Sequence, residues 1–140
     1  MEGDSNPIIG ANSESVPGAA GETTHTLEKV YQVPSVVMAD GPGGVRVTQH
    51  FTARNVETGK EQEVFHYCIA WPSGTVLAQS FDRSIAEAVG EGMRNDLAAM
   101  KIGIFLAPGI NIQRNPLCGR NFEYYSEDPL VAGEMAAAIV

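Results

Sequence analysis

Basic residues are scarce in this 140-residue chain. Lys and Arg number 9 against 17 Asp and Glu, a net charge of −8. Phosphate backbones are gripped by basic patches, so this balance argues against nucleic acid as a partner. Cysteine is scarcer still. Cys68 and Cys118 lie far apart and are too few for a disulfide scaffold. They are expected as free thiols in a reducing compartment. No apolar run approaches the roughly 18 residues of a membrane span, so no membrane partner is expected. The first ten residues, MEGDSNPIIG, are acidic and lack the basic and apolar regions of a secretory signal, which implies a cytoplasmic protein. There is no internal repeat and no P-loop signature. His25, His50 and His66 are widely separated. His66 and Cys68 are the one close pair, and no second pair completes a site, so no metal is expected.

What is present is globular: 44% hydrophobic and 19% charged residues, enough for one modest domain. Residues 1–24 are rich in Gly, Ser, Asn and Pro and read as loop, with a short helix near 24–30. VPSVVMAD, ending at Asp40, has a continuous apolar run before a Gly/Pro cluster, the pattern of a strand buried on both faces. DGPGG then makes a tight loop. RNVETGKEQE reads as a solvated excursion around a Thr-Gly turn, and VFHYCIAWP as holding a second short strand.

From Asp82 to Met100 the spacing predicts a helix. Asp82 or Ser84 caps it, and Ile85, Val89, Met93, Leu97 and Met100 fall on one face. Gly90 and Gly92 sit inside it at about 1 kcal/mol each, a cost that close packing against a neighbour would explain. GIFLAP reads as another buried strand. Asp128-Pro129 is an N-cap followed by N1, so a last helix starts there. It reaches Val140 without a Gly or Asn cap, which suggests a truncated element.

Strands alternating with helices imply an α/β fold with a parallel sheet. Both polar loops, DGPGGVR and PLCGRNFEYYSEDP, follow the C-terminal ends of strands, where such folds bind ligands.

Within those loops GPGG supplies only half of a dinucleotide fingerprint, because position 46 is Arg. Asp40 suits the binding of sugar hydroxyls, or simply a turn before Gly. Arg46, Arg114 and Arg120 carry donors for a ligand, or for ion pairs with Glu123, Glu127 or Asp128. Glu127 and Asp128 are adjacent, a poor geometry for flanking one bond, and capping accounts for Asp128. Phe122, Tyr124 and Tyr125 suit either sugar stacking or packing beneath the loop.

ADGPGGVR and the segment from FDRSIAEAVG through PGINIQRNPLCGRNFEYYSEDP to the last residue together resemble glycoside hydrolase family 3, its β-glucosidase branch in particular. The resemblance implies an N-terminal (β/α)8 barrel and a retaining mechanism through a glycosyl-enzyme intermediate. By position, it implies that Asp40 and Arg120 bind the hydroxyls of the sugar being cleaved. It also implies that Arg46 lines the pocket and that Arg114 and Glu123 support it.

The family's nucleophilic aspartate, in a Ser/Thr-Asp-Trp-like motif, has no counterpart here. Neither has its Lys-His pair or its acid/base, so no catalytic residue is expected in this chain. A whole barrel takes about 250 residues. Residues 25–140 are therefore expected to form an incomplete N-terminal barrel domain, a partial (β/α)8 arrangement behind a loop-rich segment 1–24. The expectation is a fragment of a β-glucosidase-like hydrolase, inactive by itself, with a small β-glycoside as substrate and no cofactor. Two other readings are a non-catalytic sugar-binding α/β module and, on GPGG alone, a nucleotide-binding protein whose ligand would be lost on Gly43→Val.

Overall fold

The computed structural model describes residue 13 and residues 15–140. The chain is α/β. Two aliphatic stretches set its frame. Val37–Asp40 (β1) and Ile104–Leu106 (β2) pair in parallel, with Met38 opposite Ile104, Ala39 opposite Phe105 and Asp40 opposite Leu106. Parallel neighbours need a long crossover. Here it contains the short helix Gly74–Gln79 (α1) and the long helix Arg83–Ala99 (α2). The 3-10 turn Asn121–Glu123 and the helix Pro129–Ile139 (α3) follow β2.

Helix α2 forms where the apolar spacing predicted it. The Asp82 side chain accepts a hydrogen bond from Ser84 N and caps it. Its apolar face serves two cores. Val89 and Met93 join Leu77, Tyr125, Ala132 and Met135, whereas Leu97 and Met100 pack against Val16, Val37, Ala39 and Ile102. Phe105 of β2 touches both cores and ties helix to sheet. Ile85, expected on the same face, is 45% exposed, and its neighbour Ala86 is the buried residue of that turn.

The glycines inside α2 have the packing that their cost implied. A Cβ on Gly90 would stand 2.2 Å from the Ile139 carbonyl oxygen. One on Gly92 would meet the Trp71 ring at the same 2.2 Å. Helix α3 starts at Pro129 behind Asp128, whose Oδ1 accepts from Leu130 N at 2.7 Å.

The structure departs from the sequence reading in five places. Gly21–Glu22, inside the segment expected as loop, forms a two-residue strand antiparallel to β1, so the three-stranded sheet is mixed. The polar excursion is a hairpin. His50–Arg54 (β3) and Glu61–Phe65 (β4) pair antiparallel around an Asn55–Lys60 turn. Its solvated side hides the weaker alternation of Phe51, Ala53 and Val64 on the other.

The strand expected in VFHYCIAWP ends at Phe65, and α1 had no sequence signal beyond Leu77 and Ala78. Strand β2, expected to be buried, leaves Ile104 and Leu106 about half exposed, because nothing among the described residues covers that face. The helix near 24–30 is present as Thr26–Tyr31. Among the described residues the strands close no barrel. None of their helices is long and apolar enough to cross a membrane.

Candidate functional site

The site is built at the C-terminal end of β1. After Asp40 the chain must reverse within a few residues, and two glycines allow it. Gly41 and Gly44 hold φ of +138° and +126°, a region open to glycine alone. A Cβ on Gly41 would overlap the Gly44 carbonyl. Gly44 N donates to Gly41 O at 3.0 Å and Arg46 N to Asp40 O at 2.9 Å, closing the turn. The Gly43 carbonyl accepts from Trp71 N at 2.8 Å and pins the turn to the segment before α1. These bonds account for the glycine cluster without any phosphate. The turn returns Arg46 to Asp40, and its Nη2 donates to Asp40 Oδ2 at 2.6 Å.

The second wall comes from the loop after β2. Gln113 Nε2 donates to the Asn121 carbonyl at 2.8 Å. The Thr75 hydroxyl, at the start of α1, donates to the Tyr124 carbonyl at 2.7 Å. Asn121 Nδ2 donates to the Asn115 carbonyl at 2.7 Å. Gly74 permits the approach, since a Cβ there would lie 2.6 Å from the Glu123 carbonyl. On this anchored turn Arg120 Nε donates to Glu123 Oε1, and the guanidinium lies 5.7 Å from the Tyr124 ring centroid. The Glu123 hydrogen bond and charge raise the Arg120 pKa, with smaller contributions from Tyr124 and Asp40. Tyr125, buried under the loop, has its phenol pushed up to about 12 by desolvation.

Asp40, Arg46, Arg120 and Glu123 thus line one open concavity of about 640 Å³, with Gln49, Cys68 and Ile69 on its rim. Among the described residues no hydrogen bond reaches Asp40 Oδ1 or the Arg120 Nη groups. The concavity therefore offers one carboxylate acceptor and several guanidinium donors to a polyhydroxylated ligand.

Arg114 is exposed and stands outside the concavity. Asp128 is a helix cap and Glu127 is exposed; neither lines the concavity. Thr75 and Gln113, which hold the second wall, escaped the sequence reading. Neither belongs to a polar cluster, and only the contact across the crossover reveals them.

The comparisons with known proteins agree with this architecture. The family model described as "Glycosyl hydrolase family 3 N terminal domain" matches residues 11–140. Thermostable beta-glucosidase B of Acetivibrio thermocellus is 42% identical over 106 residues, which cover 76% of this chain and 13% of that protein. An exo-alpha-(1->6)-L-arabinopyranosidase of Bifidobacterium longum is 40% identical over 108 residues, 77% of this chain and 14% of that one. The structure of beta-glucosidase 3B from Thermotoga neapolitana in complex with glucose superposes with a TM-score of 0.78 at 43% identity, covering 92% of this chain and 16% of that one. The chain therefore spans only about one-sixth or less of these relatives. A family match over residues 11–140, with identities of 40% to 43%, assigns it: the chain belongs to glycosyl hydrolase family 3.

Proposed function

We propose that this chain supplies part of the sugar-binding wall of a retaining glycoside hydrolase that removes a terminal β-linked sugar, with glucose as the first candidate. The observation that carries the reading is the convergence of Asp40, Arg46 and Arg120 on one concavity. Asp40 accepts hydrogen bonds from two neighbouring hydroxyls. Arg120 donates to a third oxygen, and Arg46 orients the Asp40 carboxylate. Glu123 fixes the Arg120 guanidinium through its Nε, which leaves the Nη groups for the ligand. Arg114 supports the 115–121 loop from outside.

Retaining hydrolysis needs two carboxyl groups about 5–5.5 Å apart. Asp40 is tied to Arg46 and Glu123 to Arg120. Neither is poised as nucleophile or acid, so both catalytic groups are assigned outside these 140 residues. The chemistry calls for no cofactor. Residues 25–140 form the opening part of a (β/α)8 barrel; the parallel pair β1–β2 with its helical crossover and the ligand side at the strand C-termini support that assignment.

The test begins with the DNA on both sides of the segment. The expected frame continues into an Asp-Trp nucleophile motif. The intact polypeptide is then assayed on an aryl β-D-glucoside, with Asp40→Ala beside it. Losing two hydrogen bonds to a charged group should lower kcat/KM by roughly 100-fold or more. An intact polypeptide that binds glucose without hydrolysing any glycoside would establish a sugar-binding module instead.

A further inference from the structure

The chain's single tryptophan, Trp71, stands between the Asp40 turn and helix α2. Its backbone N–H donates to the Gly43 carbonyl at 2.8 Å. Its ring edge comes close to Gly44, where an added Cβ would lie 3.4 Å from ring carbon Cδ1. On its far side the ring presses on Gly92 of α2, where a Cβ would come within 2.2 Å of it. The indole Nε1 donates to Asp96 Oδ2 at 2.9 Å. Gly92 and Asp96 are four residues apart, so α2 presents both to the indole from one face. The glycine admits the ring and the carboxylate fixes how it lies. Phe would fill the same space without an N–H, so this bond belongs to the indole alone.

Neither Trp71 nor Asp96 lines the Asp40 concavity. Their only route to it runs through the turn. Pairing with Leu106 holds the Asp40 backbone, but the direction of its carboxylate is set by Arg46 Nη2, 2.6 Å from Oδ2. Arg46 is placed by the turn, which Arg46 N and Asp40 O close at 2.9 Å. Gly43 and Gly44, which Trp71 grips, lie inside that closed turn.

We propose that Trp71 and Asp96 are positioning residues for sugar binding: the indole–carboxylate bond anchors the 43–46 turn to α2 and so aims the Asp40 carboxylate into the concavity. A packed ring without a hydrogen bond can slide and rotate, whereas a bond at its edge fixes both depth and rotation. The inference rests on the sugar-binding reading of the concavity and deepens it.

The test uses the intact polypeptide on an aryl β-D-glucoside, with thermal midpoints measured beside the kinetics. Asp96→Leu and Trp71→Phe each remove the bond, and the second keeps a ring against Gly92. Each should lower kcat/KM by roughly tenfold, since a slightly misplaced binding group is costly even when the change lies away from the chemistry. Either variant suffices if the other fails to fold. Asp96→Asn, whose side-chain oxygen still accepts from the indole, should retain the wild-type value. With Asp40→Ala already in place, Asp96→Leu and Trp71→Phe should each cost no more than about twofold further, because the group that they aim is gone. A merely structural role would lower the midpoint and show no such coupling to Asp40. Full kcat/KM in the folded variants, or the same tenfold loss with and without Asp40, overturns the positioning role alone. An Asp40→Ala protein as active as the wild type overturns the sugar-binding reading and the positioning role with it.

Discussion

Thr75 Oγ1 lies 2.7 Å from the Tyr124 carbonyl and 3.0 Å from that of Asn121, joining the first turn of α1 to the loop that carries Arg120. One short hydroxyl therefore spans the crossover and holds a wall of the concavity from behind.

Replacing it with the isosteric Val should weaken the fold by about 1 kcal/mol, the net worth of one such bond. Gln113 Nε2 continues to serve the Asn121 carbonyl, so the loop should not collapse. A urea midpoint unchanged in Thr75→Val would show that the contact is energetically idle.

Two helix glycines should respond in opposite directions to the same substitution. Gly90→Ala drives a methyl group onto the Ile139 backbone, and such overpacking costs about 1–3 kcal/mol. Gly133, in α3, has nothing within 4 Å of its would-be Cβ, so Gly133→Ala should gain up to about 1 kcal/mol from helix propensity. Thermal midpoints of the two variants measure both. A stabilised Gly90→Ala protein would contradict the α2–α3 packing.

Stability should fall in acid partly through Glu22. Hydrogen bonds from the Ser15 side chain first, then from Ser15 N, Ser13 and Ser35, outweigh desolvation and hold its carboxyl at about 2, against an ordinary 4.5. Its side chain is only 6% exposed. A depressed carboxylate stabilises the fold above the unfolded pKa, and that contribution is lost as pH falls from about 4.5 toward 2. Glu22→Gln should be less stable at neutral pH and show a shallower acid slope across that window. Parallel urea-against-pH profiles for the two proteins would refute the assignment.

The chain expressed alone should self-associate. One edge of β2 is unpaired among the described residues, and Ile104 and Leu106 are exposed beside it. Open edges of this kind pair with other chains. Size-exclusion chromatography at several concentrations should show species above 14.9 kDa. A clean monomer at all concentrations would be the contrary result.

The sequence revealed elements whose signal is local. Asp82 and Asp128 cap the helices they announce, and the periodic Val89 and Met93 are buried where α2 predicted. The expense of Gly90 and Gly92 anticipated tight neighbours, although not which ones. The hairpin was hidden because Thr52, Arg54, Glu61 and Glu63 dominate its composition while only Phe51, Ala53 and Val64 alternate against them. The glycine cluster announced the turn that brings Arg46 back to Asp40, whereas the sugar-binding roles of both rested on the family resemblance. Arg114 was expected to support the pocket rather than to line it, and it does not line the concavity, whereas Glu123, expected in the same role, does. Loop residues a few positions apart diverge in space, and residue spacing carries no information about that. Thr75 and Gln113 act across the crossover, on partners no local pattern can name.

The two walls of the concavity lie at opposite ends of the βαβ unit, Asp40 on one and Arg120 on the other. The Asp40 wall closes locally, but the Arg120 wall has its place only once Thr75 and Gly74 dock against the 121–124 segment, so the concavity needs the whole crossover. Contacts so distant along the chain form late and slowly. Occupancy of the concavity is thus a clock for folding. Any ligand that bridges both walls binds only the finished chain, and mass action then draws unfinished chains toward completion.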